Sequence, residues 1–255
     1  MKKNLPRINL HIHSNFSDGK NSIRQIVDRA LKMNLDFIAI TDHFTDSWKE
    51  WVPKLKDEDK ISEYLAEITL CQNNLRDKGK KLTVFKGLEV DLSSSEQFIK
   101  KIKPYKFDLI LFEYLQGVET IAFVKNIINF WRGTSRNMGK FPILGLAHFD
   151  PSYFIYENLD ILVSFLKEYN IYFEFNPSYP NFYARKNQIF FDKLRETNIP
   201  VAIGCDSHSI TSLNNIEEPL EVIRYYNLED NLQILIRALK NNFNLDFGNN
   251  SQGKT

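Results

Sequence analysis

An α/β barrel of seven strand–helix units is the fold this sequence predicts, and two observations carry it. Short β-branched or aromatic runs alternate with longer amphipathic ones along the chain, the pattern of repeated β-α units around a parallel sheet. No linker rich in Pro, Gly or Ser divides the 255 residues and no segment repeats, so one domain is expected over residues 1–247. The polar end GNNSQGKT (248–255) is expected to fray.

RINLHIH (7–13) reads as the first strand. Side chains two apart on a strand share a face, so His11 and His13 stand side by side at its C-terminal end. A helix is expected over 22–33, with Ser22 as N-cap and Gln25 in the capping-box position. DFIAIT (36–41) is the second strand, followed by the charged connection DSWKEWVPKLKDEDK and a helix over 61–78. LTVFKGLEV (82–90) is the third, and a short helical stretch near 96–103 leads to the fourth, FDLILFE (107–113). After a helix around 119–131, the loop RGTSRNMGK leads into FPILGLAH (141–148), the fifth. A helix over 159–169 precedes IYFEFN (171–176), and another over 184–196 precedes IPVAIGCD (199–206), the seventh. Helical segments near 218–226 and 229–241 end the domain.

Lys and Arg (33) nearly cancel Asp and Glu (32), which argues against a nucleic-acid or membrane-surface binder driven by net charge. No apolar run approaches the roughly 20 residues of a membrane span, and MKKNLPRINL lacks the apolar core of a signal peptide. Cys71 and Cys205 have no metal-type spacing, so neither a disulfide framework nor a thiolate site is expected. A cytoplasmic protein with no membrane partner is the expectation.

The chemistry lies at the strand ends, where barrels carry their sites. His11 and His13 end the first strand, His43 lies just past the second, His148 ends the fifth and His208 follows the seventh; these are all five histidines. Carboxylates share the bias: Asp18 follows the first pair, Glu89 ends the third strand, Glu113 ends the fourth, Glu174 lies in the sixth, and Asp206 precedes His208 by two. Imidazole and carboxylate without thiolate suit zinc, manganese or iron. There are too many ligands for one four-coordinate ion, so two or three divalent ions are expected, sharing carboxylates. Singly, each motif also reads as an ordinary strand end or turn, and Glu174 as a hydrogen-bonding tie within the barrel.

Assembled, these residues resemble the polymerase and histidinol phosphatase (PHP) superfamily of metal-dependent phosphoesterases. His11-x-His13 with Ser17-Asp18-Gly19 resembles its first motif, Thr41-Asp42-His43 its second, and Gly87-Leu88-Glu89 its third, whose glutamate bridges two metals. His148 and Asp206-x-His208 resemble the last, so the likeness runs from Ile8 to Ser209. It implies a distorted barrel of seven β/α units. It also implies one metal on His11, His13, Glu89 and Asp206, a second on Asp18, His43 and His208, and a third using Glu89 and His148. Many trinuclear members have a further histidine near the fourth strand; here Glu113 is the candidate replacement, with Asp91 as its competitor.

The implied reaction is hydrolysis of a phosphate ester by a metal-activated water attacking in line, carried by His11, His13, Glu89, Asp206 and His208. Cys205 reads as packing. Arg185 is the expected phosphate-binding residue, with Arg132 and Arg136 as alternatives. A small phosphorylated metabolite or nucleotide is the expected substrate. An exonuclease acting on short single strands is an alternative, since Tyr153, Phe154, Tyr179, Phe182 and Tyr183 lie near the expected mouth and can stack on bases. Amidohydrolases also begin a barrel with His-x-His, but they usually present a bridging lysine on strand four, where this chain has Glu113. A barrel kept as a silent scaffold would be marked by ligand loss, and nearly the full set is present.

Overall fold

The structure is a computed structural model that describes residues 5–135, 138–156 and 158–243. The expected tail, 248–255, lies outside the described residues. The strands are β1 (Ile8–Asn9), β2 (Phe37–Ile40), β3 (His43–Phe44), β4 (Thr83–Asp91), β5 (Leu109–Glu113), β6 (Ile143–Leu146), β7 (Ile171–Phe175) and β8 (Val201–Ile203). They pair in parallel in the order β1-β2-β4-β5-β6-β7-β8, and β3 takes up the place of β2 beside β4. Leu10 N–H donates to Ile203 O at 2.9 Å and Ser207 N–H to His11 O at 3.1 Å, bringing the last strand back to the first. The result is a nearly closed parallel barrel of seven strand positions, as the alternation predicts.

The helices are α1 (Ile23–Lys32), α2 (Glu58–Asp77), α3 (Glu96–Ile99), α4 (Val118–Thr134), α5 (Ser152–Ile155), α6 (Leu159–Tyr169), α7 (Gln188–Thr197), α8 (Glu217–Tyr225) and α9 (Glu229–Phe243). Local chemistry explains their limits. Ser22 and Gln25 form the expected capping box, and α1 buries Ile23, Ile26, Val27 and Ala30, one face at helical spacing. The second helix starts three residues earlier than expected because Asp57 accepts the Lys60 N–H at 2.8 Å and caps it. Pro104 opens a 3-10 turn, Pro104–Lys106, which leaves α3 a single turn. The stretch expected to be one helix over 184–196 begins instead with the 3-10 turn Arg185–Asn187, and α7 follows at Gln188.

The expected first strand, 7–13, keeps regular pairing only at Ile8 and Asn9. Thr41 N–H donates to Ile12 O at 2.8 Å, but Ile12 N–H finds the Thr41 side-chain oxygen at 3.0 Å instead of a backbone carbonyl. That replacement ends the ladder where the histidines begin. Inside the barrel, Gly145 of β6 makes room for the Tyr172 ring of β7, since a Cβ there would lie 2.3 Å from Tyr172 Cζ. Cys71 and Cys205 are both free and buried. Among the described residues, no helix is long and apolar enough to cross a membrane.

Candidate metal centre

The C-terminal strand ends bring histidines and carboxylates into one buried cluster. His11 Nε2, His13 Nε2, Glu89 Oε2 and Asp206 Oδ1 form its deepest part. The two imidazole nitrogens are 3.0 Å apart, Glu89 lies 3.1 and 3.3 Å from them, and Asp206 lies 3.7 and 3.1 Å away. A tetrahedron of donors about 2.0–2.1 Å from an ion has edges of about 3.3–3.4 Å. The side chains of His11, His13 and Glu89 are fully buried.

Both oxygens of Glu89 lack a hydrogen bond despite lying 3.1–3.4 Å from imidazole nitrogens, as do Glu113 Oε1, His13 Nδ1 and His43 Nδ1. These atoms are close but misaligned, facing common centres rather than each other. Leaving a buried carboxylate without donors is costly unless a cation offsets it. The donor set therefore fits divalent metal, and three overlapping groups of ligand atoms meet this description: His11, His13 and Glu89; His13, Asp18, His43 and His208; and His43, Glu89 and Glu113.

In the second group His208 Nε2 lies 3.0 Å from Asp18 Oδ2, with His13 Nδ1 3.7 Å and His43 Nε2 3.9 Å from Asp18 Oδ1. In the third, His43 Nδ1 lies 3.2 Å from both Glu89 Oε2 and Glu113 Oε1. His148 Nε2 stands 3.4 Å from Glu89 and 3.9 Å from Glu113. His43 thus faces two groups, whereas the resemblance gives it to the second alone.

Titration reflects the crowding of unlike charges. Burial alone would hold the His11 imidazole neutral, but Glu174, Glu89 and Asp206 outweigh it and raise its pKa well above the usual value. His43 is likewise pushed up to about 9, against burial, by Glu89 and Glu113. His13 is lowered by burial and by the charge of His43. Burial would raise Asp18, yet His208 and His13 hold it down at about 2. Glu113 is pushed up to about 7 by burial and by Glu89. Burial also pushes the Cys205 thiol up, which suits packing rather than attack.

Three supports hold the cluster. Glu174 meets His11 Nδ1 with both oxygens, at 2.9 and 3.1 Å, turning Nε2 toward Glu89; it also accepts the His148 backbone N–H at 3.1 Å. Gly204 is needed here, because a Cβ would lie 2.1 Å from Glu174 Oε2. Asp42 accepts from Ser14 N (2.8 Å), Ser14 Oγ (2.7 Å), Ser17 N (3.0 Å) and Ser17 Oγ (2.5 Å), fixing the loop that carries Asp18. Tyr114, His148 and Asp206 adopt positive φ (65°, 30° and 47°), while the other five described non-glycine residues that do so are all asparagines. Such strain in residues other than Asn costs roughly 1–3 kcal/mol each and concentrates at functional sites.

Glu174→Ala is expected to weaken metal binding by about 10–100-fold through loss of the His11 orientation, with partial rescue by Glu174→Gln. Titration against a chromophoric chelator measures it, and an unchanged affinity would mean that packing alone orients His11.

A PHP domain model matches residues 9–252. The chain belongs to the PHP domain family. Its fold is similar to that of histidinol phosphate phosphatase from Lactococcus lactis, solved with zinc, L-histidinol and phosphate, at TM-score 0.60 and 17% identity over 89% of this chain and 94% of that one. A two-domain protein from Bacteroides vulgatus containing a predicted PHP-like metal-dependent phosphoesterase aligns at TM-score 0.40 and 15% identity, over 93% of this chain and 69% of that one. No curated protein is matched by this sequence.

In this PHP domain neither Arg185 nor Arg132 lines the cavity over the cluster. Arg185 lies in an exposed 3-10 turn, where its Nε donates to Tyr225 OH at 3.2 Å beside a separate depression formed with Glu218 and Glu221. The guanidinium of Arg132 lies over Phe141 and Tyr169, at 5.5 and 5.0 Å, in the last turn of α4. That turn leads into the start of β6, the end of the barrel opposite the cluster. Arg136 lies outside the described residues.

Asp91 is engaged by Thr45 Oγ (2.7 Å), Ser47 Oγ (2.5 Å), Ser93 N (2.8 Å) and Ser93 Oγ (2.5 Å), so Glu113 is the carboxylate that faces His43 and His148. Over the cluster opens a cavity of about 360 Å³. Tyr153, Tyr179 and Phe182 line it, whereas Phe154 and Tyr183 are buried. Trp48 and Tyr114 also line it and were not anticipated; their only sequence signal is closeness to His43 and Glu113.

Proposed function

We propose that this chain is a phosphatase that hydrolyses monoesters of small molecules with two or three divalent ions, manganese, zinc or iron, held at this cluster. The observation that carries the reading is the buried Glu89 carboxylate, bare of hydrogen bonds and facing four histidines. His11, His13, Glu89 and Asp206 would hold one ion; Asp18, His43 and His208 a second; Glu89, Glu113 and His148 a third, with His43 between the last two. Divalent ions bound there supply an activated water near neutral pH and offset the charge that builds on the phosphoryl group.

The chain's own residues supply the rest. Glu174 fixes the face that His11 presents, and Asp42 fixes the loop that presents Asp18. With neither Arg185 nor Arg132 at the cavity, and no other described lysine or arginine lining it, the phosphate would depend on the ions for its positive surroundings. A volume near 360 Å³ suits a small ester. Metal-loaded protein is expected to contain at least two ions per chain by elemental analysis. It should release phosphate from a panel of monoesters in a way that chelator stops and added metal restores. A protein that stays metal-free after reconstitution overturns the reading.

A further inference from the structure

Successive side chains of a strand point to opposite faces, and β3 separates two cavities in this way. His43 lines the cavity over the cluster, and its neighbour Phe44 lines a second cavity of about 300 Å³. Phe44, Ile61 and Phe107 form an apolar floor there, and Phe44 is fixed by stacking on Phe98 at 4.3 Å and 19°. Around the floor stand four lysines, Lys56, Lys101, Lys103 and Lys106, and two carboxylates, Asp57 and Glu58.

The carboxylates do not match the lysines. Asp57 is occupied as the cap of α2, accepting the Lys60 N–H at 2.8 Å. Glu58 Oε1 pairs with both Lys103 Nζ and Lys106 Nζ, the latter at 3.2 Å, so one oxygen serves two ammonium groups. Lys56 pairs with Glu50, which is not part of the lining. Lys101 has no carboxylate partner among the described residues, and its Nζ lies 5.5 Å over the Phe98 ring. The Lys103 and Glu58 side chains are 44% and 60% exposed. Ion pairs that exposed are weak and screened, so an incoming anion can take the place of the Glu58 carboxylate.

We propose that this second cavity is a binding site for a small organic anion, an anionic head on a flat apolar body of one or two rings. The head replaces Glu58 between Lys103 and Lys106, Lys101 adds positive charge at the rim, and the body covers Phe44, Ile61 and Phe107. Two converging ammonium groups supply charge-assisted hydrogen bonds to the head, and removal of the floor and the rings from water favours the body. A volume near 300 Å³ is at the small end of ligand sites. The site lies apart from the cluster and needs neither its ions nor a reaction, so it stands independently of the phosphatase reading.

Calorimetric titration of the full chain with naphthalene-2-sulfonate tests it. The probe is expected to bind about tenfold or more tightly than 2-naphthol, which lacks the charge, and than inorganic sulfate, which lacks the rings. Two substitutions should move its affinity in opposite directions. Lys101→Glu reverses a rim charge and should weaken binding by about tenfold, whereas Glu58→Gln frees Lys103 and Lys106 and should tighten it by about threefold or more. Circular dichroism of both variants should match the parent. Glu89→Gln alters the cluster and should leave probe affinity within about twofold of the parent, because β3 stands between the two cavities. Loss of probe binding in Glu89→Gln would place the probe at the cluster and overturn the proposal. Equal binding of 2-naphthol or sulfate, or an affinity unmoved in either Lys101→Glu or Glu58→Gln, overturns it as well.

Discussion

Glu89→Gln is expected to reduce phosphatase activity by about 1,000-fold or more and to remove at least one bound ion. Glu89 Oε2 lies 3.1, 3.3 and 3.2 Å from His11, His13 and His43, and Oε1 lies 3.4 Å from His148. The amide matches the carboxylate in volume, so packing is preserved while one oxygen becomes a donor aimed at other donors. The charge that burial makes expensive, and that only cations repay, is gone. Circular dichroism should be unchanged, metal content should fall, and kcat/KM should collapse. A variant with full metal content and a rate within tenfold of the parent would refute a bridging role for Glu89.

What the sequence made legible follows from how local each signal is. The strand and helix alternation depends on side-chain periodicity, and the Ser22–Gln25 cap on a four-residue hydrogen-bond pattern, so both are read directly. The histidines were legible because position at a strand end is itself set by periodicity. Glu174 was harder: only the approach of β8 to β1, with Gly204 opening space, reveals that it grips His11. Asp42 reads as part of a motif, yet its four hydrogen bonds reach back across 25 and 28 residues to Ser17 and Ser14. The place of Arg185, at a depression apart from the cavity, was not legible because two short 3-10 turns join β7 to α7, and no periodic pattern reports the course of such a segment.

Glu113 provides the last prediction, because it stands where the resemblance leads one to expect histidine. Its Oε1 lies 3.2 Å from His43 Nδ1 and its Oε2 3.9 Å from His148, and no described lysine or arginine pairs with it. A loop cation therefore does not account for its burial, and a metal shared with His43 and Glu89 would. Glu113→Gln keeps the shape and removes the charge, so metal content should fall by about one ion per chain and turnover by about 10–100-fold, while ions on the His11–His13 and Asp18–His208 sides remain. Glu113→His tests the chemistry of the donor. Carboxylate oxygen favours manganese or magnesium, and imidazole favours zinc. With histidine in place, activity with zinc should rise relative to activity with manganese. Elemental analysis and rates measured with each metal separate the outcomes. A Glu113→Gln protein with unchanged metal content and unchanged rate would make the working site dinuclear and leave Glu113 as a charge partner for His43.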